Sequence, residues 1–168
     1  MIRLCEKSEF ERLYAIINNA ALAYKGVIPD ECWTEPYMSR SELQDQIDEG
    51  VAFWGYEENG QLVGIMGVQR VRDVTLIRHA YILRGSQRQG IGERLLLHLR
   101  GLARTPVLVG TWVEAVWAIK FYEKNGLKRV PAQEKDRLLQ RYWDVPDRQR
   151  RASVVLADRL WHERNGEP

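Results

Sequence analysis

Hydrophobic positions change their period along the chain, and each change marks a new element. From Ser8 to Gly26 ("SEFERLYAIINNAALAYKG") Phe10, Leu13, Ile16, Ile17, Ala20, Ala21 and Tyr24 recur every three or four residues, which predicts an amphipathic helix. Ser8 and Glu11 have capping-box spacing at its start, and Gly26 is placed to end it. "MIRLC" before it reads as a short strand. "VIPDECWTEPYMSR" after it reads as a loop, and "SELQDQIDEG" as a second helix that starts near Ser39 or Ser41 and ends at Gly50. From Val51 to Val71 the period falls to two, and Asn59-Gly60 in the middle predicts a tight hairpin. Asp73 marks the next turn, and "VTLIRHAYIL" continues the meander.

The helical period then returns, with Ile91, Leu95, Leu96 and Leu99 on one face. "PVLVGTWV" is a buried strand, "EAVWAIKFYEKNG" a helix stopped by Asn125-Gly126, and "LKRV" a short strand. "PAQEKDRLLQRYW" is expected to be helical, "DVPDRQRR" a loop and "ASVVLADRLW" a closing strand. The order is α+β: an antiparallel meander leads into a strand–helix–strand unit. No repeat or linker interrupts it, so one domain over residues 1–168 is expected.

Composition adds exclusions. A net charge of +2 is too small to argue for nucleic acid or an anionic membrane. The basic run "DRQRRAS" with Lys124, Lys128 and Arg129 is interleaved with acids and carries no nucleic-acid motif, so it reads as a solvated face. Cys5 and Cys32 make no metal-ligand spacing with His79, His98 or His162, and no metal is expected. The first residues are charged where a signal peptide needs an apolar core, and no apolar run is long enough to cross a bilayer. The expectation is a reduced, cytoplasmic protein without a membrane partner. Six tryptophans and seven tyrosines serve either the core or an aromatic-walled pocket or interface.

The stretch "SQRQGIGERLL" carries candidate chemistry. A strand that ends in a glycine turn and opens a helix presents free backbone N–H groups, backed by the helix dipole, to an anion. Gly90 and Gly92 allow close approach, and Arg84, Arg88 and Arg94 lie nearby in sequence. The dinucleotide pattern GxGxxG fails at Leu95, and the nucleoside-triphosphate loop GxxxxGK[ST] is absent. On the local pattern alone, a phosphate site and a plain structural turn both stand.

"SQRQGIGERLL" resembles the coenzyme A signature Q/R-x-x-G-x-G/A of the GNAT acetyltransferase superfamily. "AIKFYEKNGLKRV", about thirty residues on, resembles that superfamily's second signature, and the order of elements matches over about residues 1–162. The resemblance implies a layered α/β/α fold with a mixed, mostly antiparallel sheet of about seven strands. It implies acetyl-coenzyme A as co-substrate, with its pyrophosphate on the backbone of Gln87, Arg88, Gln89, Gly90, Ile91 and Gly92. Ile82, with Leu83 beside it, matches the strand end whose backbone meets the pantetheine arm and polarises the thioester. Tyr122 matches the acid that protonates the leaving thiolate, and a phenol with a pKa near 10 suits that task. Ala115 stands where the family often has an asparagine, and Leu127 replaces the usual aromatic.

Acetyl transfer to an amine also needs a base. The strand position where many members carry a glutamate falls near Leu76, which cannot ionise. His79 on the same strand is the alternative, set against a purely structural histidine. The resemblance places the acceptor near Tyr24, Glu31 and Trp33, with Asp30, Glu35, Tyr37 and Trp143 also in range and Glu31 or Glu35 as further bases. The function implied is direct N-acetyl transfer to an amine of a small molecule or peptide. The alternative is a coenzyme A-binding sensor with little catalysis, and a homodimer is compatible with either.

Overall fold

The computed structural model describes residues 1–166. Seven strands, β1 (Ile2–Leu4), β2 (Ala52–Glu58), β3 (Gln61–Val71), β4 (Val74–Ile82), β5 (Val107–Trp112), β6 (Lys128–Arg129) and β7 (Ser153–Ala157), form a mixed open sheet in the order β1-β2-β3-β4-β5-β7-β6. Helices α1 (Phe10–Ala21), α2 (Arg40–Asp48), α3 (Ile91–Leu102), α4 (Val116–Lys124), α5 (Ala132–Tyr142), α6 (Asp147–Arg151) and α7 (Arg159–Arg164) flank it, as the α+β order and the resemblance lead one to expect. No helix among the described residues is long and apolar enough to cross a membrane. Contacts divide the chain into two compact units, and β4 contributes to both.

The first unit comprises residues 1–23, 34–70 and 77–102. Its strands β1, β2 and β3 pair antiparallel. Asn59 (φ 50°) and Gly60 (φ 75°) are both left-handed, the type I′ turn that the dipeptide predicts. The start of α1 differs from expectation. Glu6 and Glu9, rather than Ser8 and Glu11, form the reciprocal cap, around a 3-10 turn at Lys7–Glu9. Arg3 explains the preference: it binds both Glu9 oxygens (2.8 and 2.9 Å) and Glu57 (2.7 Å), so the glutamate cap is also an ion-pair hub. At α2 Ser39 is the cap, with Glu42 closing the box. Asn18 clamps the chain ahead of it, donating to the Met38 carbonyl (3.0 Å) and accepting from the Met38 N–H (3.0 Å).

The second unit comprises residues 24–33, 71–76 and the chain from 103 onward. Strands β5 and β7 pair antiparallel, and β7 is buried along its whole length. Its core joins Val74 and Leu76 to Leu108, Leu139, Val155 and Trp161. Two sequence expectations are corrected here. The stretch 144–151 contains a five-residue helix, α6, rather than a loop throughout, because Pro146 has the fixed φ that leads into a helix. The closing strand stops at Ala157, where Asp158 accepts from the Trp161 N–H (3.0 Å) and caps α7. The strand expected over 127–130 is only Lys128–Arg129.

Candidate active site

The end of β4 is tied down before the chain turns. The Leu83 N–H donates to the Val63 carbonyl (2.9 Å), and the Ser86 N–H closes a 3-10 turn on Leu83 (2.9 Å). The Gln87 amide then reaches back and donates to the Ile82 carbonyl (3.2 Å), so the loop is braced by its own side chain. Arg88 (φ 62°) and Gly90 (φ 76°) are left-handed, and they turn the backbone into α3. The Arg94 N–H donates to the Gly90 carbonyl (3.0 Å), the first helical bond, which makes Gly90 the cap residue.

That position decides the chemistry. A serine, threonine or aspartate cap would satisfy the N–H groups of the first turn, whereas glycine supplies no side-chain acceptor. The donors at Gly90, Ile91, Gly92 and Glu93 are thus left for a ligand, with the helix dipole behind them. A Cβ placed on Gly90 meets nothing within 4 Å, so the space in front of the turn is open. Gln87, Arg88, Gln89 and Gly90 are all exposed, while Ile91 is buried as the hydrophobic anchor beneath them. Arg84 and Arg88 have no hydrogen-bond or ion-pair partner among the described residues. Arg94 is held on Tyr56, donating to its hydroxyl at 2.7 Å. Donors, dipole and two unspent cations together fit a diphosphate.

Below the loop, two glycines of β3 let β4 approach. A Cβ on Gly64 would lie 2.5 Å from the Ile82 side chain and 3.0 Å from that of Ile91, and one on Gly67 would lie 2.9 Å from the Arg78 carbonyl. His79, the next residue, is left-handed at φ 54°, which breaks the alternation of the strand. Its ring lies beside Phe53 and Tyr81, with centroids 5.9 and 6.3 Å away. His79 Nε2 and the Gln46 side-chain amide are hydrogen-bonded to each other. Burial, and then the neighbouring Arg78 charge, push the imidazole down to about 3, so it is neutral at physiological pH. Arg78 donates in turn to Gln69 (3.0 Å), and Gln69 to the Glu49 carbonyl (3.0 Å).

In the second unit Tyr122 lies on α4 with 5% of its surface exposed. Phe121 meets it edge-on at 5.1 Å, and no group among the described residues hydrogen-bonds its hydroxyl. Burial alone raises the phenol above its ordinary value, so it stays protonated. Ala115, where the family asparagine often stands, is fully buried, and Leu76 is fully buried in the core, where a carboxylate would be costly. Of the expected acceptor residues, half-buried Tyr24 and exposed Glu31 lie on two 3-10 turns, and half-buried Trp33 follows the second in extended backbone. Tyr24 stacks on Trp117 of α4 (centroids 6.0 Å, planes 24° apart), which joins the segment expected to meet the acceptor to the helix bearing Tyr122. Trp117 is exposed on α4, and its partnership with Tyr24 is not legible from the sequence.

Among the described residues no group of three or more histidine, cysteine or acidic side chains is arranged to hold a metal. Residues 18–139 match the family model described as acetyltransferase (GNAT) domain. The fold is similar to that of the PaiA N-acetyltransferase from Thermoplasma acidophilum, solved in complex with coenzyme A (TM-score 0.71, 17% identity, 94% of this chain and 97% of that one). It is also similar to the ribosomal-protein-S18-alanine N-acetyltransferase of Escherichia coli (TM-score 0.65, 19% identity, 95% and 93%). N-acetylglutamate synthase from Neisseria gonorrhoeae, complexed with coenzyme A and N-acetyl-glutamate, matches over 35% of its own length (TM-score 0.63, 21% identity, 95% of this chain).

Proposed function

Because this chain belongs to the GNAT acetyltransferase domain family, we propose that it transfers an acetyl group from acetyl-coenzyme A directly to an amine of a small molecule or peptide. The observation that carries the reading is the exposed α3 N-terminus, capped by a glycine and flanked by two unpaired arginines. Coenzyme A bound to two structurally similar proteins supports the same assignment.

The coenzyme supplies an acetyl thioester, and the reaction exchanges that thioester for an amide. Backbone N–H groups from Gln87 to Gly92 take the pyrophosphate, with Arg84 and Arg88 adding charge-assisted contacts. A thioester carbonyl is polarised only by a donor, so the Ile82 N–H serves it, while the Ile82 carbonyl is held by Gln87. Tyr122 gives its proton to the departing sulfur. Burial keeps that proton on the phenol until a strong base such as a thiolate calls for it. Glu31, an exposed carboxylate of the acceptor segment, takes the proton that the amine must lose. His79 is the less available base: its Nε2 is hydrogen-bonded to Gln46 and its ring is packed beside Phe53 and Tyr81. Its part on this reading is to hold β4. The protein acts in the cytoplasm, with acetyl-coenzyme A and an amine as its partners.

Calorimetric and NMR titration with acetyl-coenzyme A, followed by thiol release over a panel of amines, tests the proposal. Binding that shifts the amide resonances of Gly90 to Glu93, with turnover on at least one amine, is expected. Tight binding without turnover on any amine would replace it by a coenzyme A sensor, the reading that buried Leu76 and Ala115 favour.

A further inference from the structure

The second unit holds a cavity of about 170 Å³ that the acetyl-transfer chemistry does not use. Arg137 and Arg141, four residues apart on one face of α5, line it together with Arg164 of α7. Like charges at that spacing destabilise a helix. The available counter-charges are largely committed. Glu134 holds Arg137 at 2.6 Å. Asp73, the one carboxylate in the lining, accepts from the Tyr142 hydroxyl at 2.6 Å and lies only loosely against Arg141, at 3.8 Å. Arg141 also stacks over the Tyr142 ring, 5.3 Å from its centroid. Arg164 has no partner among the described residues. The buried rings of Tyr142 and Trp161 give the cavity an aromatic wall.

From this convergence we infer that the cavity is a binding site for a small carboxylate anion with a planar apolar body. Two planar forks, on Arg141 and Arg164, match a carboxylate better than a point charge would. The rings beside them match an apolar body, as in most small-ligand sites. A cavity of about 170 Å³ suits an anion the size of benzoate. The inference stands independently of the coenzyme loop, which belongs to the first unit.

Nitrogen-labelled full-length protein, titrated at fixed ionic strength with benzoate, acetate and inorganic phosphate, tests it. The reporters are the Trp161 indole and the backbone amides of residues 138–142 and 161–165. Saturable benzoate shifts confined to these reporters are expected, with acetate at least tenfold weaker. Arg141→Gln and Arg164→Gln should each weaken benzoate at least fivefold and leave coenzyme A shifts at Gly90 to Glu93 unchanged. Both side chains are exposed, so the fold survives their loss, which the unchanged remainder of the spectrum verifies. Absent or non-saturating shifts would overturn the inference. So would phosphate binding as tightly as benzoate at the same reporters, or undiminished affinity in the double variant.

Discussion

Replacing Gly90 by alanine separates the backbone conformation of the coenzyme loop from everything packed around it. The residue sits at φ 76°, and a Cβ there meets nothing within 4 Å, so the substitution carries no steric term. What remains is the left-handed penalty of a non-glycine residue, ~1–2 kcal/mol. That penalty appears in one of two places. If the loop keeps its shape, the folded state loses that much and the urea midpoint falls. If the loop relaxes instead, the N–H groups of α3 turn away, and coenzyme A affinity falls about 5- to 30-fold, at ~1.4 kcal/mol per tenfold. The stability and binding losses should therefore add to ~1–2 kcal/mol, measured by urea unfolding and calorimetry on the same sample. Gly90→Asn should lose less, because asparagine tolerates the left-handed region. Gly85→Ala is the control: it also has open space but no left-handed φ, and it should bind coenzyme A normally. A Gly90→Ala protein with unchanged midpoint and unchanged affinity would refute the account of the loop.

Three further outcomes follow from the same geometry. Tyr122→Phe should lower turnover by ~100-fold or more, within the range of general acid catalysis, while coenzyme affinity stays within about twofold; an unaltered rate would remove the acid role. His79 titrates at about 3 when folded and near 6.5 when unfolded, so the unfolded chain takes its proton first. The His79 contribution to stability is therefore full above about pH 6.5 and falls as pH drops toward 3, by at most ~1.4 kcal/mol per pH unit. His79→Asn, which tolerates the left-handed backbone, should flatten the difference between urea midpoints at pH 7 and pH 5. Gly67→Ala forces a Cβ to 2.9 Å from the Arg78 carbonyl, and overpacking of this kind should lower stability by ~1–3 kcal/mol; an unshifted urea midpoint would show that β4 yields freely.

Local signals carried most of the architecture. Asn59-Gly60 specifies its turn by backbone preference alone, and Ile91, Leu95, Leu96 and Leu99 are all buried on one face of α3. Failures came where a distant partner or a continuous apolar run overrode the local cue. Ser8 has the right chemistry for a cap, but Arg3 and Glu57, far apart in sequence, recruit Glu9 instead. "ASVVLADRLW" reads as one strand because both sides of it are apolar. The Asp158 cap inside it was visible as a helix start only to a reader who let it outweigh the hydrophobic run. At the candidate site the loop residues were legible because they are contiguous. The Gln46–His79 lock and the Tyr24–Trp117 stack join positions far apart in the chain, and no single-sequence period encodes such pairs.

The passage of the chain between its two units has a consequence for inheritance. The polypeptide crosses from one to the other five times, after Ala23, Trp33, Arg70, Leu76 and Leu102. No contiguous stretch of gene encodes either unit. A fragment beginning at Ala103 would hold most of the second unit but lack Val74 and Leu76, which are 1% and 0% exposed in its core. A single recombination event therefore cannot graft one unit onto another scaffold. Exchange of either unit would need matched breaks at all five crossings.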